Sequence, residues 1–325
     1  MQGLQNKSSP VLVDVRSLRV DLPIGQFGRR KLRAVDGVDL TIARGDVHGL
    51  VGETGCGKST TGRALIRLAR PTEGQVLFGG VDIASLSRRK LNSFRPRMQM
   101  IFQHPGSALN PRIDIGRSIA EPLAAAGVVR ADRRARVIDM LLRVGLPATS
   151  MDRYPHDLSG GQLQRVTIAR ALVGRPEFVV ADEPVSSLDL SIQAQVMVLF
   201  KELQRELGIS SLFITHDLGI AEYVSTYISV MYLGKLVETA PAYEFSKRAQ
   251  HPYSRMLFDS VPRLDPKIER TRQVQQLSGE IPSPLAPPPG CRFHTRCPLV
   301  QARCRVEAPP TKNIGAGHTV ACWVV

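Results

Sequence analysis

The chain has 325 residues, of which 43% are apolar and 5% aromatic, and it carries a formal net charge of +14. We find no run near the roughly 18–20 apolar residues that cross a bilayer, and residues 1–10 lack the apolar stretch of a secretory signal, so we expect a cytosolic protein that reaches a membrane through partners. The charge suits phosphate ligands, an anionic surface or nucleic acid, but the arginines are not interleaved with aromatic residues, which favours an ordinary solvated basic surface.

The first predicted elements surround a glycine-rich loop. Residues 11–22 alternate apolar and polar side chains, as an antiparallel or edge strand does, and a second strand-like stretch covers 34–43. A short apolar strand over 46–52 leads into GETGCGKST at 52–60, and residues 59–69 have the pattern of a helix. Strand, loop and helix in this order are the context in which GxxxxGK[ST] specifies a phosphate loop.

The phosphate loop (residues 52–60) supplies the parts of a nucleotide triphosphate site. Its glycines let the backbone bend so that successive N–H groups point at phosphate oxygens. Lys58 offers a positive charge to the β- and γ-phosphates, Ser59 offers a hydroxyl to Mg²⁺, and Thr60 can bond the α-phosphate. The predicted ATP-binding residues of the loop are Gly52, Glu53, Gly55, Cys56, Gly57, Lys58, Ser59 and Thr60.

The remaining elements alternate between helix and strand, which predicts a doubly wound, mostly parallel sheet of the α/β class. We expect strands over 74–80, 97–102, 177–182 and 210–216 and helices over 160–174 and 190–208. Between them, residues 110–158 have helical spacing and little strand signal. This block predicts an inserted helical subdomain, over about 104–165.

An apolar run that ends in two acids, FVVADE at 178–183, follows the helical block. Such a run is common as a solvated strand end, but beside a phosphate loop it predicts a catalytic edge. A buried strand that emerges at the carboxyl edge of the sheet would place Asp182 beside the Mg²⁺ held by Ser59. Glu183, one residue on, can polarise the attacking water as a general base.

The segment LSGGQ at 158–162, called the signature segment below, lies between the phosphate loop and the acidic strand. SGG before a helix is by itself typical of a plain N-cap turn. In this position it resembles the signature of the ABC ATPase family. The resemblance implies a P-loop NTPase (RecA-like) core with an N-terminal antiparallel β subdomain, an inserted helical subdomain and a small C-terminal Cys-containing tail.

The same resemblance assigns further site residues. Gln103 matches the family's glutamine that senses Mg²⁺ and the attacking water, Asp189 matches the D-loop, and His216 matches the switch histidine that reaches the γ-phosphate. Phe27 is the candidate for stacking on adenine. In this family the phosphate loop of one subunit faces the signature of another, so the segment's polar and glycine residues would serve the partner's ATP: Ser159, Gly160, Gly161 and Gln162.

Three stretches, 98–112, 251–262 and 279–298, resemble the ATPases of oligopeptide, dipeptide and nickel importers, and are closest to the F-type subunit. The resemblance implies an ATPase that powers uptake of di- or oligopeptides, at the cytoplasmic face of the inner membrane. Its implied partners are a second, homologous ATPase, two permeases and an extracytoplasmic substrate-binding protein.

Three alternatives stay open at this stage. The first is an importer ATPase for nickel or another small solute, because selectivity lies in the permeases and the binding protein. The second is an ABC ATPase acting on nucleic acid; the single cassette argues against it, and we expect no nucleic-acid partner. The third is an exporter subunit, against which the importer-like tail argues.

We place the ATPase domain at 1–262 and a C-terminal extension at 263–325. Four cysteines lie in that extension, with 5, 6 and 17 residues between them: Cys291, Cys297, Cys304 and Cys322. Four thiolates suit a [4Fe–4S] cluster, which some relatives with this tail bind, although the spacing is not that of a ferredoxin. Zinc, with His294 or His318 as a further ligand, and inert thiols are the alternatives. A cluster would hold together a Pro-rich tail that cannot build its own core.

Overall fold

The fold alternates strands and helices in a computed structural model that describes residues 10–24, 30–243, 245–260 and 280–325. The strands are β1 (Val11–Ile24), β2 (Arg30–Ala43), β3 (Val47–Val51), β4 (Glu73–Phe78), β5 (Val81–Asp82), β6 (Met98–Ile101), β7 (Phe178–Asp182), β8 (Ser210–Ile214), β9 (Tyr227–Tyr232), β10 (Lys235–Pro241), β11 (Lys312–Gly315) and β12 (His318–Val320). The helices are α1 (Lys58–Leu65), α2 (Arg88–Asn92), α3 (Pro105–Ala108), α4 (Ile115–Ala125), α5 (Arg130–Arg143), α6 (Gly160–Leu172), α7 (Leu190–Leu207), α8 (Leu218–Val224), α9 (Phe245–Arg248), α10 (Pro252–Asp259) and α11 (Ala302–Val306).

These elements confirm the α/β prediction and the helical block, with two corrections at the ends of elements. β2 begins at Arg30, so part of the polar stretch before residue 34 is strand. Helix α1 ends at Leu65, not at residue 69. Arg67 has a left-handed backbone (φ +58°), and the N–H of Leu68 turns back to the carbonyl of Arg63 at 2.7 Å, which stops the helix.

The chain divides into two units by its internal contacts, and we describe each by itself. Unit 1 takes the described residues of Met1–Val15, Leu40–Val47 and Val76–Leu212. Unit 2 takes those of Arg16–Asp39, His48–Gln75 and Phe213–Val325. The predicted boundary after residue 262 lies outside the described residues.

Unit 1 holds a parallel strand pair and the helical block. β6 runs beside β7 from the pair Met98 and Phe178 to the pair Ile101 and Ala181. Every residue of β7 is buried, as expected for a parallel strand covered on both faces. Helix α4 packs against α5 and α6 in the same unit, so the predicted helical block includes packed helices.

Unit 2 joins the strand before the phosphate loop to the C-terminal tail. β3 pairs in parallel with β9, β9 in antiparallel fashion with β10, and β10 with β12 of the tail. Phe293 of the tail is buried and lies 5.3 Å, between ring centroids, from both Tyr232 and Tyr253. The tail therefore shares the core of unit 2, which supplies the apolar support that a Pro-rich segment lacks.

No helix within the described ranges is long and apolar enough to cross a membrane.

Candidate functional site

The phosphate loop lies in unit 2 between the fully buried strand β3 and the first residue of α1, Lys58. The Lys58 side chain is buried, and its ammonium group donates to the carbonyl oxygens of Gly52 at 2.7 Å and of Glu53 at 2.9 Å. The two bonds fix the position of the ammonium group within the loop.

Two glycines of the loop have no room for a side chain. Gly52 and Gly57 adopt φ values of +150° and +112°, which L-residues rarely adopt. A Cβ atom at Gly52 would collide with the carbonyl oxygen of Met231, and one at Gly57 with that of Ala34. The close approach of other backbone segments therefore makes both glycines obligatory.

Three contacts from distant parts of unit 2 hold the loop. The N–H of Gly234 donates to the carbonyl of Cys56 at 2.7 Å, and the N–H of Glu53 donates to the Tyr253 hydroxyl at 3.0 Å. The Arg296 guanidinium donates twice to the Glu53 carboxylate, at 2.9 and 3.0 Å. Sequence reasoning missed these supports: Tyr253 and Arg296 fall in stretches quoted for their family resemblance, and nothing in their local pattern points to the loop.

Cys56 is buried in the loop, and burial raises the pKa of its thiol. A neutral, inaccessible thiol is a poor nucleophile. We therefore expect Cys56 to be slow to oxidise in the folded protein, while its role as a small residue that fits the loop stays a prediction.

The acidic edge lies in unit 1, at the end of β7. Asp182 is buried, and the chain turns at Glu183, which has a left-handed backbone with φ +46°. A non-glycine residue in that conformation stores strain, a feature that clusters at functional sites. The Gln103 side-chain amide donates to the Glu183 carboxylate at 2.9 Å. The structure therefore brings together the predicted general base and the predicted glutamine, which are 80 positions apart in sequence.

The signature segment begins α6 with a reciprocal cap. The Gln162 N–H donates to the Ser159 hydroxyl at 3.4 Å, and the Ser159 N–H donates to the Gln162 side-chain oxygen at 3.0 Å. Ser159 and Gly160 are exposed, whereas a Cβ at Gly161 would press on the Ile192 side chain of α7. The start of α6 is thus a glycine-bearing helix N-terminus open to solvent, which suits an anion.

Of the remaining predicted site residues, one lies in unit 1, one in unit 2 and one outside the described residues. Asp189 occupies the N-cap position of α7 in unit 1 and is exposed. His216 follows β8 in unit 2 and is exposed, beside Asp217, which caps α8 by accepting from the Ile220 N–H at 2.9 Å. Phe27 lies outside the described residues, so its role stays a prediction.

The four tail cysteines are free thiols in unit 2. Burial, together with the smaller effect of the other three thiols, raises the pKa of Cys291 to about 11. The Cys291 N–H donates to the carbonyl of Cys304 at 2.9 Å.

The metal prediction at these cysteines does not gain support from the geometry. Across the described ranges, no group of three or more His, Cys, Asp or Glu side chains could hold a metal ion. One ring nitrogen of each candidate zinc histidine makes a hydrogen bond: that of His294 lies 2.8 Å from the Cys291 carbonyl oxygen, and that of His318 lies 2.7 Å from the Glu238 carboxylate. Metal-binding histidines commonly make such a bond through their second nitrogen, so these contacts do not decide between the alternatives.

Two family models match the chain. The ABC transporter model covers residues 35–186, and the model of the oligopeptide/dipeptide transporter C-terminal region covers 237–304. The first match contains the phosphate loop, the signature segment and the acidic strand, and the second contains three of the tail cysteines.

Curated relatives match over nearly the whole chain. The oligopeptide transport ATP-binding protein AppF of Bacillus subtilis is 46% identical over 319 residues, 96% of each chain. OppF of Salmonella typhimurium, with the same description, is 44% identical over 97% of this chain and 96% of its own. A putative peptide import ATP-binding protein of Brucella ovis is 47% identical over 90% of this chain and 92% of its own.

Solved structures with the same fold are ATP-binding cassettes. One is the dimeric structure of a post-hydrolysis state bound to ADP and Pi, with a TM-score of 0.64 and 28% identity over 72% of this chain and all of that one. Another is cbiO1 of Clostridium perfringens, part of the ABC transporter complex cbiONQ, with a TM-score of 0.64 and 28% identity over 73% of this chain and 90% of that one.

Proposed function

The chain belongs to the ABC transporter ATPases of the oligopeptide/dipeptide type, and from this premise we propose that it hydrolyses ATP to power peptide uptake, with Glu183 as the general base. The observation that carries the catalytic assignment is the bond between Gln103 and the Glu183 carboxylate at the end of β7. A bonded, oriented carboxylate at a buried strand end is the group that a water nucleophile requires.

The phosphate loop binds the triphosphate. The Lys58 ammonium group, which the carbonyls of Gly52 and Glu53 hold in the loop, would donate to the β- and γ-phosphates and offset their charge. Ser59, Asp182 and Gln103 would hold Mg²⁺, which supplies charge neutralisation at the β- and γ-phosphates.

Hydrolysis then depends on proton movement at Glu183. The carboxylate accepts a proton from the water that attacks the γ-phosphorus, while Gln103 keeps the carboxylate oriented. His216 would bond the γ-phosphate, and Phe27 would stack on adenine.

The signature segment and Asp189 would complete the site of a second ATPase subunit, homologous to this chain. The support is the exposed, capped helix start at Ser159, which is open to an anion of another chain. Two permeases and an extracytoplasmic binding protein would complete the importer, and this chain would sit at the cytoplasmic face of the inner membrane.

We further propose that the tail cysteines hold a [4Fe–4S] cluster, whose role is to stabilise the tail. The support is the donor set: four free thiols in one tail, with the Cys291 N–H bonded to the Cys304 carbonyl at 2.9 Å, and with the tail joined to unit 2 through β12. Ligands of a cluster bind separate irons, so they need not converge as the ligands of a single ion do.

Replacement of Glu183 tests the ATPase assignment. We expect Glu183→Gln to lower kcat by about 10³-fold or more while ATP still binds, because general-base catalysis contributes about 10²–10⁴-fold. The matched control is Glu202→Gln on the exposed face of α7, which should hydrolyse ATP at the wild-type rate. Wild-type turnover by Glu183→Gln would overturn the assignment.

Anaerobic purification tests the cluster. We expect broad absorbance near about 400 nm and about four irons per chain, both lost in Cys297→Ser. A colourless, iron-free protein would overturn this second proposal and leave the ATPase assignment untouched.

A further inference from the structure

The tail reaches into the nucleotide site through one ion pair. Arg296 and Glu53 form a two-pronged pair, and their side chains are 4% and 16% exposed. Bidentate pairing of a guanidinium with a carboxylate fixes direction as well as distance. Glu53 is the second residue of the phosphate loop, so the pair fixes the loop next to Gly52.

The arginine is itself held on a rigid support. Its backbone N–H donates to the carbonyl of Phe293 at 3.0 Å, and the Phe293 ring packs against both Tyr232 and Tyr253. Tyr253 also accepts a hydrogen bond from the Glu53 N–H. The backbone and the carboxylate of one loop residue are therefore tied to the same aromatic cluster.

We propose that Arg296 is a positioning residue for nucleotide binding, which holds and neutralises Glu53 so that the phosphate loop accepts a triphosphate. The inference rests on the proposed function and deepens it: the C-terminal extension becomes part of the ATP site. Arg296 acts through Glu53 and is not assigned a contact with the nucleotide.

Two physical effects support this role. A carboxylate without its cation at the second position of the loop would repel the phosphates, and in a buried setting that repulsion is poorly screened. A loop rich in glycine also loses much conformational freedom when it closes on a ligand, and a contact that fixes it beforehand reduces that cost. Both effects act on nucleotide affinity more than on the chemical step.

Linkage gives a consequence in the wild-type protein. If the tail pre-orders the loop, the nucleotide must in turn stabilise the tail by the same free energy. Amide hydrogen exchange in Cys291–Cys297 should slow when MgADP binds, whereas exchange in the exposed strand β11 should not change.

Binding of MgADP by calorimetry, with steady-state ATPase rates, tests the proposal. We expect Arg296→Ala to raise the Kd by about tenfold, within the coupling seen for residues in contact, and to raise KM more than it lowers kcat. The Kd of Arg296→Lys should lie between those of the wild type and Arg296→Ala, since lysine keeps the charge but loses the two-pronged geometry. Arg296→Ala with Glu53→Gln should regain most of the affinity, because the uncompensated charge is gone.

The control is Arg303→Ala in the same tail, which loses its pair with Glu307 and its place over the Trp323 ring. It should bind MgADP as the wild type does. An unchanged Kd in Arg296→Ala, with or without a lower Tm, would show that the pair is only structural and would overturn the proposal, as would unchanged exchange in Cys291–Cys297. Failure of the wild type itself to bind or hydrolyse nucleotide would instead count against the proposed function.

Discussion

The phosphate loop in unit 2 and the signature segment in unit 1 are proposed to bind phosphate oxygens, yet the structure holds them in opposite ways. The loop is fixed from outside itself, by Gly234, Tyr253 and Arg296, and its Lys58 is buried. The signature segment is fixed locally, by the reciprocal bonds of Ser159 and Gln162, and its first residues are exposed.

The difference fits the partner that we propose for each region. A loop that binds the chain's own nucleotide gains affinity when the rest of the unit pre-orders it. A helix start offered to another chain must stay accessible until that chain arrives, and a local cap fixes its conformation without contacts from other segments. Variants can test each side of this comparison separately.

The largest effect is expected at Gly57. Gly57→Ala should raise the Kd for ATP by about 100-fold or more, because strain at such a backbone conformation costs about 1–3 kcal/mol and the collision with the Ala34 carbonyl adds to it. The matched variant is Gly55→Ala, at φ +80°, where a Cβ would meet no described atom within 4 Å. Calorimetric titration should place Gly55→Ala well below Gly57→Ala. Equal losses would mean that packing from outside does not hold the loop.

A smaller effect, on turnover and not on ATP binding, is expected in the signature segment. Ser159→Ala removes a cap worth about 1 kcal/mol, so turnover should fall about fivefold while ATP binding by the chain's own loop stays within about twofold of wild type. Ser87→Ala is the control: Ser87 caps α2 in the same unit by accepting from the Lys90 N–H at 3.5 Å. ATPase assays with the partner ATPase present should separate the two. Loss of ATP binding in isolated Ser159→Ala would erase the distinction between the regions.

Local patterns predict the phosphate loop, the acidic strand and the signature segment because each is a short run whose chemistry depends on neighbouring residues. Glu183 is predicted from the acidic run and Gln103 from the family resemblance, and the hydrogen bond between them is seen only in the structure. The left-handed backbone at Glu183 could not be predicted, because a glutamate, unlike a glycine, does not indicate a positive φ in the sequence.

The supports of the loop could not be predicted from the sequence. Arg296 lies 243 positions after Glu53, and their contact depends on how the tail packs on β9 and α10. In the prediction from sequence, a cluster has the role of holding the tail together, because a Pro-rich segment cannot build a core of its own. The structure instead places Phe293 in the core of unit 2, a pairing that depends on the tertiary fold alone.

The smallest expected effect concerns His251, which bonds Tyr253, one of the residues that hold the phosphate loop. His251 is buried before α10, where its Nδ1 accepts from the Tyr253 N–H at 3.1 Å, and burial lowers its pKa from 6.5 to about 3. Below pH 6.5 the unfolded chain binds a proton there that the folded chain does not, so acid lowers the free energy of unfolding.

This loss should amount to about 0.7 kcal/mol between pH 7 and pH 6. His251→Asn keeps an N-cap acceptor but does not titrate. In urea unfolding, the free energy of unfolding should therefore fall by about 0.7 kcal/mol less between pH 7 and pH 6 in the variant than in the wild type. The other histidines are the same in both proteins and cancel in the difference. An identical pH dependence in the two proteins would mean that His251 is accessible to water in the folded protein, and that the packing around Tyr253 is less tight than its burial indicates.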